Sequence, residues 1–242
     1  SIVQKDLSLP NDHQWLMQEL KDADVLIGNF GPIVQEKLNL RLADIRKTHP
    51  NLIIGWISTY PNDRNRPAYD AVLQAETGWM SINGKEGKPP LKLPVAIIDV
   101  FASHQLRAGI LTALLHKQRS KKGSLVEVFL VEAGLAAQVN QSSYALNQNI
   151  NPFPMGSAHP NICPYGDLVE CKEGDYLLFA VGTNAQYLRL AKILDDQRLL
   201  ADTFLTNPQR VIHRNTLIKI LQDVCRPHSA LSLHNKLTAA NI

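Results

Sequence analysis

Short apolar runs alternate with amphipathic stretches through the first half of the chain, and this alternation predicts strands and helices in turn. Asn11 and Asp12 stand where a helix cap belongs, ahead of Trp15, Leu16, Leu20 and Ala23 at helical spacing. Residues 24–30, DVLIGNF, form a continuous apolar run closing on Gly28 and Asn29, the pattern of a buried parallel strand followed by a turn. Pro32 suits the first turn of a further helix, whose apolar stripe is Val34, Leu38, Leu42 and Ile45. His49-Pro50 ends it, because the residue before proline is pushed out of the helical region. Residues 51–58, NLIIGWIS, read as a second buried strand. Strand, helix and strand joined by short connections predict an α/β layer with a parallel sheet.

A polar loop at 60–67 precedes a helix predicted over about 69–80, and a longer loop with Gly84 and Gly87 fills 81–94. From 95 to 118 the chain is apolar with helical period. Lys117, Arg119, Lys121 and Lys122 suit the C-terminal end of that helix dipole, and Gly123 is the expected stop. LVEVFLVEAGLAAQV then reads as a strand leading into a helix. Near residue 140 the composition shifts, and 141–164 is rich in Asn, Gln, Ser and Pro, as a linker would be. A strand-like stretch at 175–182 and amphipathic helices at 183–194, 214–225 and 229–240 follow. The expected organisation is a large α/β domain over 1–145, a linker at 146–165, a small domain over 166–228, and a C-terminal helix or linker at 229–242.

Composition narrows the classes. Of 242 residues, 45% are hydrophobic and 19% charged, which suits a folded chain with a sizeable core. A formal charge of +3, with its one dense basic run at 117–122, does not suggest a nucleic-acid partner. No stretch approaches the ~18 uninterrupted apolar residues of a membrane span. Lys5 and Asp6 fall where a signal peptide would carry its apolar core, and no initiator methionine opens the chain, which suggests processing or a fragment. Three cysteines without a CxxC pair argue against a disulfide framework or a zinc site, so no metal is expected and a reducing, cytoplasmic compartment fits. Phosphate-loop, dinucleotide and zinc-protease motifs are absent, as is the GxSxG of serine hydrolases.

One acidic residue stands out: Asp99 in VAIIDVFA, flanked by apolar residues where a loop enters the long helix. A carboxylate there either caps the helix or serves as a nucleophile or base kept ionised by the positive helix end.

Five blocks resemble the family III CoA-transferases, the CaiB/BaiF group. They are RPAYDAVLQAETGWMS from 66, VAIIDVFASHQLRAGILTALLHKQRSKKG from 95, GSAHPNICPY from 156, DYLLFAVGTNAQYLRL from 175 and FLTNPQRVIHRNTLI from 204. DADVLIGNFGP and NLIIGWIS are similar to the family's earlier strands, so the resemblance runs through nearly the whole chain in order. It implies a Rossmann-like large domain with an open, mainly parallel sheet, a smaller α+β domain and an interlocked homodimer. It also implies transfer of CoA from an acyl-CoA to a carboxylic acid acceptor, with acyl-CoA as substrate and no tightly bound cofactor. In the family's transferases an aspartate, matched by Asp99, forms an acyl anhydride and then a CoA thioester.

The same fold includes α-methylacyl-CoA racemases, where a histidine stands at the position of Tyr69. An ordinary tyrosine is a poor base at neutral pH, so Tyr69 favours transfer, either beside the thioester or as a packing aromatic. Asn29 and Phe30 match a turn near the family's CoA site. Arg64, Arg66 and Lys92 are candidate cations for a CoA phosphate, and His159, Asn161 and Tyr165 match the linker block. Gly28 and Gly31 depart from the family's acidic residue and arginine, as do Thr59 to Asn62 from its glycine-rich turn. The resemblance further implies that the family's opening strand–helix unit and returning C-terminal segment are lacking. A catalytically silent CoA-binding or dimerisation subunit is therefore a third reading beside transferase and racemase.

Overall fold

The computed structural model describes residues 2–242 and forms two compact units. One takes in the chain up to Asn83 together with Pro90–Phe153; the other takes in Gly84–Pro89 and Pro154–Ile242.

In the first unit, helix α1 spans Pro10–Glu19. Neither Asn11 nor Asp12 caps it. Asp12 lies inside the first turn, where its carboxylate accepts the Asp6 N–H at 2.9 Å and a proton of Lys5 Nζ at 3.0 Å. Strand β1 is Val25–Gly28. The stripe expected as one helix is two, α2 at Pro32–Lys37 and α3 at Leu42–Thr48, parted where Asn39 turns left-handed at φ 53°. Strand β2 is Ile53–Ser58. Gly78, at φ 89°, likewise divides the next predicted helix into α4, Asp70–Glu76, and α5, Trp79–Ile82. Helix α6 runs over Ile97–Ser120, followed by strand β3 at Leu125–Phe129 and helix α7 at Leu130–Ala136. Helix α8, Asn140–Gln148, occupies part of the stretch expected to be a linker.

The three strands are parallel in the order β1-β2-β3, with Val25 opposite Ile53 and Ile54 opposite Leu125. Only the central strand is buried on both faces: Ile53 and Ile54 are wholly inaccessible, whereas Ile27 of β1 is 64% exposed. A strand with one neighbour keeps an open flank, so the apolar run at 24–30 overstates its burial. Beneath β1 and β2 lie Leu20, Leu42, Ile45, Leu52 and Trp56. The chain leaves the C-terminal end of β2 and re-enters at the N-terminal end of β3, so α6, roughly 36 Å long at 1.5 Å per residue, runs antiparallel to the strands. Its buried residues Ile98, Ala102, Leu106 and Ala113 share one face.

Helix α6 stops at Lys121, left-handed at φ 58°, two residues before the expected Gly123. Gly123 is small for another reason. Its N–H donates to Pro50 O at 2.9 Å, and a Cβ there would lie 2.0 Å from Leu52 O. Backbone cannot yield as a side chain can, so Gly123→Ala is expected to destabilise the unit by about 3 kcal/mol. The measurement is urea denaturation: a lower midpoint at unchanged slope supports this, and an unmoved midpoint refutes it.

In the second unit Lys85 bridges antiparallel to Met155. Strands β4, Tyr165–Glu170, and β5, Tyr176–Ala180, pair antiparallel with Leu168 opposite Leu178. Helices α9 (Asn184–Leu194), α10 (Asn207–Ile212), α11 (Arg214–Cys225) and α12 (Ala230–Ala239) complete it. A capping box opens α9: the Thr183 hydroxyl accepts the Gln186 N–H at 3.1 Å and Gln186 Oε1 accepts the Thr183 N–H at 3.1 Å. Phe179, Tyr187, Leu190, Leu217 and Leu221 form the core, together with the three free thiols Cys163, Cys171 and Cys225. The fold is thus mixed α/β, with a parallel sheet and a small antiparallel one, in agreement with the pattern of the sequence. No helix among the described residues is long and apolar enough to cross a membrane.

Candidate active site

The starts of α4 and α6 are tied together by one buried carboxylate. Asp70, 8% exposed, is the first residue of α4, and its Oδ2 accepts the Ile98 N–H at 2.9 Å. Its Oδ1 accepts Gln74 Nε2 at 2.5 Å. Gln74, wholly buried one helical turn on, also donates to Val95 O at 3.1 Å and accepts the Leu93 N–H at 2.8 Å. Asp70 therefore satisfies one of the free backbone donors of α6 from outside that helix.

Asp99, next to Ile98, is consequently not the cap. It lies in the first turn of α6 with an exposed side chain and no hydrogen-bond or ion-pair partner among the described residues. Partial burial and then the negative charge of Asp70 push its carboxyl above the ordinary value of 3.8. Proton affinity at this helix start is thus raised, where the dipole alone would lower it.

Tyr69 precedes Asp70 and is the N-cap residue of α4. Its carbonyl accepts the Val72 and Leu73 N–H groups at 2.9 and 3.1 Å, while its side chain is 83% exposed. Its ring is therefore free rather than packed. The bond between Asp70 and Ile98 thus joins the residue that follows Tyr69 to the residue that precedes Asp99, across thirty positions of sequence from Tyr69 to Asp99.

Asn29 and Phe30 form the turn after β1. Phe30 O accepts Trp56 Nε1 at 3.1 Å and Gln35 Nε2 at 2.7 Å, and the Phe30 ring meets Trp56 edge-on at 6.2 Å. Trp56 also accounts for Gly28: a Cβ there would lie 2.3 Å from the indole, which fills the space of the side chain the family resemblance expects. Gly31 has open space, with Arg64 O at 4.0 Å as the one neighbour of a Cβ. Because the sheet is parallel and α6 runs against it, the turn after β1, the loop after β2 and the start of α6 all lie at the carboxyl edge of the strands. Ligands of open α/β sheets bind at that edge.

The candidate cations are already engaged. Arg66 pairs with Glu76 and lies over the Tyr60 ring at 4.5 Å, while Tyr60 donates to Glu76 at 2.6 Å. Arg64 forms a two-pronged pair with Glu127 at 2.8 Å, and Lys92 donates to Leu93 O. In the second unit, the ring of His159 meets Tyr165 edge-on at 5.5 Å, and His159 Nδ1 accepts the Asn161 N–H at 3.1 Å. Arg214 donates to His159 O and Ile162 O, which makes this block a braced turn. No group of three or more His, Cys, Asp or Glu among the described residues could hold a metal ion. Asp70 is visible in the sequence only as the neighbour of Tyr69, in a pair that resembles the racemases' His-Asp pair, and Gln74 is not singled out at all; the partner at Ile98 is invisible from either.

A succinate–glutarate CoA-transferase of Agrobacterium fabrum is 32% identical to this chain over 226 residues, 89% of this chain and 54% of that protein. An acyl-CoA transferase of Fusarium pseudograminearum is 32% identical over 212 residues, 86% of this chain and 46% of its own length. The chain thus spans about half the length of the curated relatives it matches. A CaiB/BaiF family protein from Brucella suis superposes with a TM-score of 0.82 at 26% identity, over 99% of this chain and 64% of that one. The model of CoA-transferase family III matches residues 2–242, and the chain belongs to that family.

Proposed function

We propose that this chain carries the nucleophile of a CoA-transferase that moves CoA from an acyl-CoA to a carboxylic acid. The observation that supports this most directly is an unpaired, accessible carboxylate at the start of α6, at the ligand-binding edge of the sheet. In the first step an Asp99 oxygen attacks the thioester carbonyl carbon, the C–S bond breaks, and CoA leaves as thiolate. The thiolate then attacks the aspartyl carbonyl of the anhydride, releasing the donor's carboxylate and leaving an aspartyl-CoA thioester. The acceptor carboxylate attacks that carbonyl, forming a second anhydride and freeing the thiolate again. Attack of the thiolate on the acceptor's acyl carbon gives the new acyl-CoA and restores Asp99, with no net change in protons. A covalent relay of this kind keeps the thioester's energy through every step.

Tyr69, exposed beside Asp70, is positioned to contact the thioester region, and its hydroxyl has no acid or base bound to it that would serve racemisation. Asn29 and Phe30 flank the CoA at the turn after β1. Arg66 contributes through Glu76 and Tyr60 rather than as a free cation. A homodimer in a reducing, cytoplasmic compartment completes the proposal.

The test is peptide mass spectrometry after the protein meets a panel of acyl-CoAs and hydroxylamine. A hydroxamate at Asp99 supports the reading, and an unmodified Asp99 in folded protein across the panel overturns it. The pH profile adds a second check. Attack needs the carboxylate, so activity falls as pH falls through the value of Asp99, and the raised affinity places that acid limb above 3.8. A limb at or below the ordinary value would contradict the assignment.

A further inference from the structure

A carboxylate as deeply buried as Asp70 needs compensation, and here it comes from one backbone amide and one side-chain amide rather than from a cation. The amide it binds belongs to Ile98, the neighbour of the reactive carboxyl. We propose that Asp70 is a positioning residue for CoA transfer: braced by Gln74, it fixes the backbone at Ile98 and so presents Asp99 at the start of α6 without touching it. This rests on the reading of Asp99 as nucleophile.

Gln74 extends the brace backward, holding Leu93 and Val95 in the loop that enters the helix. The same four atoms therefore define both the approach to α6 and its first turn. Asp70 has a second effect, through its charge. Of the charged groups on elements packed against α6, Glu76 is held by Tyr60 and Arg66, Glu127 by Arg64 and Ser58, and Glu132 is exposed on α7. Strand β2 carries no titratable side chain, and Asp70 alone among these charges adds to the proton affinity of Asp99.

Two substitutions separate geometry from charge. Asp70→Asn keeps an oxygen for the Ile98 N–H but removes the charge; Asp70→Ala removes both. The readouts are the single-turnover rate of Asp99 acylation, the binding constant of the acyl-CoA, and titration of the Asp99 carboxyl followed by carbon NMR. For Asp70→Ala the expected result is a drop in acylation rate of about 100-fold, the scale of a small misplacement, with binding of acyl-CoA changed less than about 3-fold. For Asp70→Asn the titration midpoint of Asp99 falls, and the acid limb of the rate falls with it. Wild-type acylation rates in Asp70→Ala overturn the proposal. If the alanine variant does not fold, Gln74→Ala decides, because it removes the brace on Asp70 and on the loop at Leu93 and Val95: a wild-type acylation rate there overturns the proposal. A wild-type protein that takes no label at Asp99 overturns the nucleophile reading itself, and with it any catalytic use of Asp70.

Discussion

Asp99→Asn is expected to lower CoA transfer by on the order of 10⁴-fold or more while leaving the protein folded, because loss of a covalent nucleophile removes the pathway rather than weakening it. The stability side carries its own sign. Asp99 binds its proton more tightly in the folded chain than at the ordinary carboxylate value, through partial burial and the charge of Asp70. Its contribution to stability is therefore present below the unfolded value and lost as pH rises through the folded one. At neutral pH the ionised group costs stability, so the asparagine variant should melt at the same temperature as the parent or slightly above it. A helix cap would show itself in Asp99→Ala instead, losing about 1 kcal/mol there, because asparagine caps a helix as well as aspartate does. Calorimetry of Asp99→Ala and an activity assay of Asp99→Asn thus distinguish the two roles open to Asp99 from sequence. Retained transfer in the asparagine variant, or a clear fall in the melting point of the alanine variant, would return Asp99 to a structural role.

The largest expected loss of stability in the second unit lies at Arg210. This side chain is wholly buried, with Nε donating to Cys163 O at 2.7 Å, Nη1 to Phe204 O at 2.9 Å and Nη2 to Asn184 Oδ1 at 2.9 Å. Its guanidinium lies 4.3 Å from the centre of the Tyr187 ring, and no carboxylate pairs with it. Arg210→Met fills a similar volume but leaves two buried carbonyls, Cys163 O and Phe204 O, without a donor at about 1 kcal/mol each, while Asn184 Oδ1 keeps the Asn207 N–H at 3.0 Å, and the lost ring contact adds about 1 more. The expected cost is about 3 kcal/mol. The three buried thiols report it. Burial pushes Cys163 and Cys225 up to about 12, so they react with a thiol reagent only when the unit opens. At about 1.4 kcal/mol per tenfold, Arg210→Met should raise the labelling rate about a hundred-fold. Arg210→Lys keeps the charge but not the fork and should fall between. Parent-like labelling in the methionine variant would refute the account.

Periodicity carried the strand and helix types well where one element buries one face. The run at 51–58 became the doubly buried β2, and the amphipathic stretch at 183–194 became α9 with its capping box. It failed where the backbone turns left-handed within an apolar stripe. Asn39 and Gly78 each cut one predicted helix in two, and neither cut alters the spacing of the apolar residues. Glycine at 123 was legible as punctuation, but its reason is a contact with Leu52 O seventy-one positions away.

The sequence by itself determined the α/β order, the family resemblance across the whole length, and Asp99 as the carboxylate whose setting needed an explanation. These are local or linear properties: the residue types that share a helix face, the order of strands, the blocks in register. Only the tertiary structure decided what Asp99 is not. The cap of α6 comes from Asp70 on another helix, and the pair Asp70–Gln74 draws its meaning from amides and carbonyls at Leu93, Val95 and Ile98. It also decided that Arg64 and Arg66 are bound to carboxylates and rings before any ligand arrives. A hydrogen bond forms between groups brought together by the packing of distant segments, and no spacing along the chain encodes which buried donor a carboxylate will reach.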